Sequence, residues 1–266
     1  MNATRWLRAL ACIGALMAAT VQAQERLTVI VSDFHMGLGR GADGQWHPYE
    51  DFRWSGALAG FLDAIGREGE DRVDLVILGD FLEYWQLPDD IGCRGSGADA
   101  GCSVPELVTL TNRILRAHEA DFAALRAFVR RGRNQLHVVP GNHDAALLIP
   151  AVWAPVAKAL GADEGRVSFV ASGLWRSADG RVLAEHGQQI GSDVNRFEAW
   201  PTVTTPGGDG QPLMIRPWGE RFVQKLFNAE ERQYPIIDNL SPESAGARHR
   251  MADRGLWGSA ADMARK

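Results

Sequence analysis

Cysteine is scarce in this sequence, and so is clustered positive charge. Only Cys12, Cys93 and Cys102 occur in 266 residues. That is too few for a disulfide-built miniature scaffold or a closed four-cysteine zinc site. No long basic run appears, and the formal net charge is -5 with a pI near 5.8. A nucleic-acid partner is therefore not expected, because phosphate backbones recruit clustered Lys and Arg. Past the N-terminal segment, no stretch approaches the ~20 apolar residues of a membrane span. No Gly-x-Ser-x-Gly elbow points to a serine hydrolase. The glycine-rich stretch 36–44 lacks the Gly-Lys-Ser/Thr of a phosphate-binding Walker loop. Internal repeats and low-complexity tracts are absent as well. What is present is an ordinary globular composition, 45% hydrophobic and 23% charged, with length enough for a sizeable core.

The N-terminus reads as a secretory signal peptide over residues 1–23. Arg5 and Arg8 form a positive region, residues 10–19 are apolar, and Val21-Gln22-Ala23 offers a cleavage site after Ala23. A lipoprotein signal at Cys12 is disfavoured by the short apolar run before it. The mature chain is thus expected to be periplasmic or secreted, with no stable membrane span. Cys93 and Cys102 then flank a short glycine-rich loop. In an oxidising compartment they read best as a disulfide, with two free thiols as the alternative.

Along the chain, apolar strand-like runs alternate with helical patterns, which implies an α/β fold with a parallel sheet. The run Thr28-Val29-Ile30-Val31 suits a strand buried on both faces. If it stays extended, Asp33 and His35 project to the same side. Residues 51–67 read as a helix. The run 73–78 is a second strand and ends in Gly79-Asp80. Residues 104–131 read as one long helix, opened by a capping box of Ser103 and Glu106 with Pro105 in its first turn. A third strand, 135–139, leads into Gly141-Asn142-His143-Asp144. Residues 145–160 are a helix broken near Pro150 and Pro155. Strands at 167–170 and 181–184 follow, the second ending in Glu185-His186-Gly187. A helix is expected at 220–232, and nothing reliable from Tyr234 onward. Open α/β sheets bind ligands at the carboxyl ends of their strands. Each motif alone is weak, but in this order they point to one shared site. Carboxylate and amide oxygens mixed with imidazoles suit Mn, Fe or Zn.

These motifs, Asp33-Phe34-His35, Gly79-Asp80, Gly141-Asn142-His143-Asp144 and His186-Gly187, resemble the calcineurin-like metallophosphoesterases over about residues 27–193. The run from Gly79 to Trp85 is more loosely similar to the UDP-2,3-diacylglucosamine pyrophosphatase branch. The resemblance implies a four-layer α/β/β/α sandwich carrying two divalent metal ions at the strand ends. It implies that Asp33 and His35 bind one ion, Asp80 bridges both, and Asn142 and His186 bind the second. His143 would stay off the metals, stabilising phosphate charge or protonating the leaving oxygen. Asp144 would accept a hydrogen bond from His143 and raise its basicity. His47, His118, His137 and His249 are not expected to be ligands. Packing is favoured for Trp46, Trp54 and Trp85, and a solvated surface for Asn195, Arg196 and Arg216.

One family motif, a Gly-His-x-His near the C-terminus, is missing. The expectation is therefore a fold incomplete at its C-terminus, from a longer protein or a truncated gene. The organisation expected is a core over 24–195, a helical, disulfide-closed insertion at about 86–133 acting as a cap, and an extension over 196–266. The function expected is an exported binuclear phosphoesterase. It would hydrolyse a small phosphorylated substrate (a monoester, diester or pyrophosphate) by attack of a metal-held hydroxide. The rival is a non-catalytic binding protein with an incomplete metal site.

Overall fold

A computed structural model describes residues 26–93, 100–191, 193–235 and 237, with isolated positions at 245, 248, 252 and 255. The expected signal peptide and the centre of the disulfide loop lie outside the described residues. In chain order the elements are β1 (Leu27–Val31), α1 (Ser55–Glu68), β2 (Val73–Leu78), β3 (Ala100–Ser103), α2 (Val104–Ala117), α3 (Glu119–Arg130) and β4 (Gln135–Val139). Then come α4 (Pro150–Leu160), β5 (Val167–Phe169), β6 (Leu174–Arg176), β7 (Leu183–Glu185), β8 (Thr204–Pro206) and β9 (Pro212–Ile215). Last are α5 (Trp218–Phe222) and α6 (Asn228–Glu231), joined by a π-helical turn.

Four strands form an all-parallel sheet in the order β1-β2-β4-β5. Its strands therefore all end at one edge, where the ligand motifs were expected. The alternation of side chains divides its two faces. Leu75, Ile77, Leu136 and Val138 point into the main core with α1 to α4, while Val76 and Val139 meet Trp175 from the β6–β7 hairpin. The α/β class is as expected. Of a four-layer sandwich, the described residues show the helices, the parallel sheet and the hairpin. A separate antiparallel sheet, β3-β9-β8, ties the 196–266 region to the strand that carries Cys102. Among the described residues no helix is long and apolar enough to cross a membrane.

Four expectations are corrected. β1 is not buried on both faces. It is an edge strand of this sheet, and Ile30, the register partner of Val76, is 41% exposed. The long helix over 104–131 is two helices broken at His118, whose ring is buried between Glu50 and Asp121. Both helices pack in the main core, α2 against α4 and α3 against α1. They form the crossover that a parallel β2–β4 pair requires. Helix α1 starts at Ser55, four residues later than expected, because Glu50 binds the Phe52 amide at 2.9 Å and holds the preceding backbone open. Finally, the chain after β5 doubles back as β6–β7, so the strand leading to His186 pairs within a hairpin. The capping box at Ser103 and Glu106 is present, and so is the Cys93–Cys102 disulfide.

Candidate metal centre

The site lies where β1, β2 and β4 end and where β7 delivers His186. Asp33, His35 and Asp80 all have positive φ, at 58°, 47° and 53°. The chain is therefore not extended through Asp33-Phe34-His35, and the same-side argument from strand geometry does not apply. The two side chains converge because the backbone winds through left-handed conformations that non-glycine residues adopt at a cost. Loop-to-loop hydrogen bonds hold this path. The Asp33 amide donates to the Gly79 carbonyl at 3.2 Å, His35 to Asp80 at 2.9 Å and Met36 to Phe81 at 3.1 Å.

The glycines of the motifs leave room for ligands. A Cβ at Gly79 would sit 2.3 Å from the His186 ring, and one at Gly141 would sit 2.3 Å from Asp80 Oδ1. Either would push a ligand out of place. His186 donates Nδ1–H to the Leu78 carbonyl at 2.9 Å, which fixes its ring. Its Nε2 then lies 3.1 Å from Asp80 Oδ2 and 3.2 Å from Asn142 Oδ1. His35 Nε2 is 3.8 Å from both Asp33 Oδ1 and Asp80 Oδ2. Asp80 is buried, whereas the Asp33 side chain is 57% exposed and opens the site to solvent.

The donor atoms form three groups, His35 with Asp80 and His143, Asp33 with Asp80 and His186, and His35 with Asp51 and Glu83. Asp80 is common to the first two, Asp33 lies with His186, and His143 lies with His35.

The electrostatics show a site rich in anions. The Asp33 carboxyl is held down to about 2, chiefly by His35. Burial works against charge on Asp80, yet His143, His186 and His35 lower it. Burial likewise opposes protonation of His35 and His186. Asp33 and Glu83 nevertheless raise His35 well above its ordinary value, and Asp80 raises His186 to about 9. Protonated imidazoles thus compensate carboxylates that a cation would otherwise neutralise. A cluster of hard oxygens and imidazoles with this surplus of negative charge fits a divalent ion, which binds by displacing those protons.

A model of the calcineurin-like phosphoesterases matches residues 27–257. The chain belongs to this family. Among curated proteins and among solved structures, nothing matches.

Glu83 is the residue of this phosphoesterase that sequence reasoning missed. It is buried at the end of the Asp80-Phe-Leu-Glu83 run, and its Oε2 accepts from His35 Nδ1 at 2.8 Å and from His143 Nδ1 at 2.6 Å. Its Oε1 accepts from the amides of Trp85 at 2.6 Å and Gln86 at 3.1 Å. Burial opposes its charge, but the two histidines hold its carboxyl well below the usual carboxylate range. Glu83 is therefore an ionised acceptor, and both rings must present Nε2 to the site. The available signal was a carboxylate three residues after Asp80.

The carboxylate partner of His143 is thus Glu83 rather than Asp144. Asp144 instead binds backbone, accepting from Gly141 at 2.6 Å, Asp80 at 3.3 Å and Phe81 at 2.9 Å. It pins the two loops that carry Asp80 and Asn142. Burial and the neighbouring Asp80 charge push its carboxyl up to about 6.

Trp85 is buried, as expected of a packing residue, and stacks on His143 with centroids 3.8 Å apart. Arg216, expected on a solvated surface, is instead engaged by Glu220 and Gln224. His137 lies away from the metal-ligand clusters, bound to Ser168 at 2.6 Å and 3.6 Å from Asp74. That string looks like a Ser-His-Asp relay, but Arg26 already binds the Asp74 carboxylate at 2.6 Å.

Proposed function

We propose that this phosphoesterase is an exported enzyme that holds two divalent ions (Mn, Fe or Zn) and hydrolyses a small phosphorylated substrate: a phosphomonoester, a phosphodiester or a pyrophosphate. The observation that carries the two-ion reading is Asp80, the carboxylate that the His35–His143 group shares with the Asp33–His186 group. Divalent ions bound there would neutralise phosphate charge and activate water. Asp33, on the open side, His35, Asn142 and His186 would hold the two ions between them, and Asp80, common to the group of Asp33 and that of His35, would fix their separation. His143, grouped with His35 and Asp80, has Nδ1 bound to Glu83 and its ring stacked on Trp85, which would leave Nε2 for the substrate. From there it would deliver a proton to the departing oxygen, a role suited to an imidazole fixed in one orientation. The N-terminal pattern and the Cys93–Cys102 disulfide support export.

The test is metal content together with hydrolysis of a chromogenic phosphomonoester and phosphodiester in added Mn, comparing the native chain with Asp80→Ala. About two ions per chain and turnover that Asp80→Ala abolishes are expected. Equal rates in the two proteins would overturn the assignment, and no metal with no turnover would point to a binding protein on this fold.

A further inference from the structure

Large apolar side chains are exposed beside this centre, and the chemistry so far gives them no task. Trp218 is 52% exposed and Ile190 is 74% exposed, with Val194 and Phe222 also open. Trp218 stacks on Phe222 at 5.0 Å, and Phe227 supports Phe222 from behind at 5.5 Å.

Two routes join this patch to the ligands. Along the chain, the Ile190 amide binds the Gly187 carbonyl at 3.1 Å, in the turn that immediately follows His186. Across space, the Gly219 amide binds the Val194 carbonyl at 2.8 Å. A Cβ at Gly219 would lie 3.3 Å from the far edge of the Trp85 indole, whose face covers His143. Trp218 therefore begins one residue from a backbone that rests on the tryptophan packed against the centre.

We propose that Trp218, Phe222, Val194 and Ile190 form an apolar subsite for the organic group of the substrate, so that the preferred phosphoester carries an aryl or alkyl group rather than a sugar. This rests on the phosphoesterase reading of the metal centre and names the substrate class for that site. Continuity with the centre selects the occupant. Trp85 is itself buried, so the organic group of a phosphate held at Asp80 and His143 would meet the exposed residues around it, Ile190 in the turn after His186 and the Trp218 pair beside Gly219. Stacked aromatic rings offer area and few hydrogen bonds, which favours apolar matter over a hydroxylated sugar.

The test uses p-nitrophenyl phosphodiesters whose second ester is methyl, butyl or hexyl, so the leaving group stays constant, all below their micellar concentration. Each fully buried methylene is worth about fourfold in binding. With partial burial, kcat/KM is expected to rise at least about 10-fold from methyl to hexyl. The rise should flatten in Trp218→Ala and in Phe222→Ala, each checked for folding by circular dichroism. In parallel, calorimetry measures methylphosphonate and hexylphosphonate binding to the native chain in Mn. Hexylphosphonate should bind more tightly, and Trp218→Ala should remove the preference.

No chain-length preference in the native protein, or a preference unchanged in both variants, overturns the subsite. Vesicle binding lost in Trp218→Ala without a chain-length preference would also overturn it and assign the patch to a lipid surface. A phosphonate preference with no ester hydrolysed would instead sink the enzymatic reading and leave the apolar site standing.

Discussion

Replacing Glu83 with Gln tests the core of the site at the carboxylate that joins His35 to His143. The carboxylate accepts four hydrogen bonds, two from imidazoles at 2.8 and 2.6 Å and two from backbone amides at 2.6 and 3.1 Å. Gln retains one carbonyl oxygen, enough for the Trp85 and Gln86 amides, so the loop should keep its shape. The other oxygen becomes an NH2, which can only donate. His35 and His143 must then accept at Nδ1, and their protons move to Nε2, where no lone pair remains for a ligand role. A hydrogen bond to a charged group contributes about 1.5–3 kcal/mol. Losing the favoured tautomer at His35, a ligand in the proposed function, is therefore expected to weaken metal affinity roughly 10–100-fold, the usual effect of removing the group that orients a ligand. The assay titrates Mn against p-nitrophenyl phosphate turnover and, separately, against thermal stability. In Glu83→Gln the Mn midpoint should move up by that factor, with turnover at saturating Mn also reduced through His143. Native Mn midpoint and native turnover together would refute the orienting role. Glu83→Ala should do worse, because it also strands two buried amides and lowers the melting temperature.

Three further outcomes follow from geometry. Gly141→Ala places a methyl group 2.3 Å from Asp80 Oδ1 and 2.7 Å from its amide nitrogen, and backbone cannot yield as a side-chain tip can. Overpacking of this kind costs about 1–3 kcal/mol, and metal content should fall with it; a fully loaded, fully stable variant would contradict the packing. His118 is buried between Glu50 and Asp121, which overcome its burial and raise it to about 9. Because its folded value lies above the unfolded 6.5, its contribution is complete below about pH 6.5 and fades as pH rises through about 9. Denaturant titrations should show the native protein losing at most about 3 kcal/mol across that window relative to His118→Gln; parallel curves would refute it. Replacing Cys93 and Cys102 by Ser opens a loop with a sequence separation of 9. Chain entropy puts the loss at roughly 2.6 kcal/mol, readable as a lower urea midpoint, and an unchanged midpoint would argue that the unfolded chain is not constrained there.

The strand ends were legible because β1, β2 and β4 are largely apolar runs, each followed within a few residues by a ligand-type side chain, Asp33, Asp80 or Asn142. Position in the sheet then did the rest, since β1, β2 and β4 are parallel neighbours and share one edge. The helix break at His118 was not legible. Leu107, Leu110 and Ile114 before it and Phe122, Leu125 and Val129 after it keep one apolar stripe in phase. What breaks the helix is a buried charge network closed by Glu50, 68 residues away. Strands β8 and β9 were hidden for a related reason. They are three and four residues long, and their alignment comes from pairing with one another and with β3, more than 100 residues earlier. Glu83 escaped because its meaning lies in two histidines from different strands, a convergence that no local pattern records.

The way Asp33 and His35 reach the site changes what holds the centre together. Had the segment been extended, ligand direction would have followed from the pleat at no cost. Instead Asp33, His35 and Asp80 each occupy left-handed backbone, which costs on the order of 1–3 kcal/mol per residue and persists only where the surroundings over-determine it. The surroundings here are specific. Three parallel amide-to-carbonyl bonds lock residues 33–36 onto 79–81, and Asp144 draws the Gly141, Asp80 and Phe81 amides onto one buried carboxylate. Asp144 therefore acts on the chemistry through position. Its removal would release three amides and the strain at Asp80 in the same event. Asp144→Ala should thus lose metal affinity and stability together, whereas Asp144→Asn, which keeps one acceptor oxygen, should recover part of both. If the two variants prove equally impaired in metal binding while their melting temperatures stay native, the ligands are held by something other than this backbone lock.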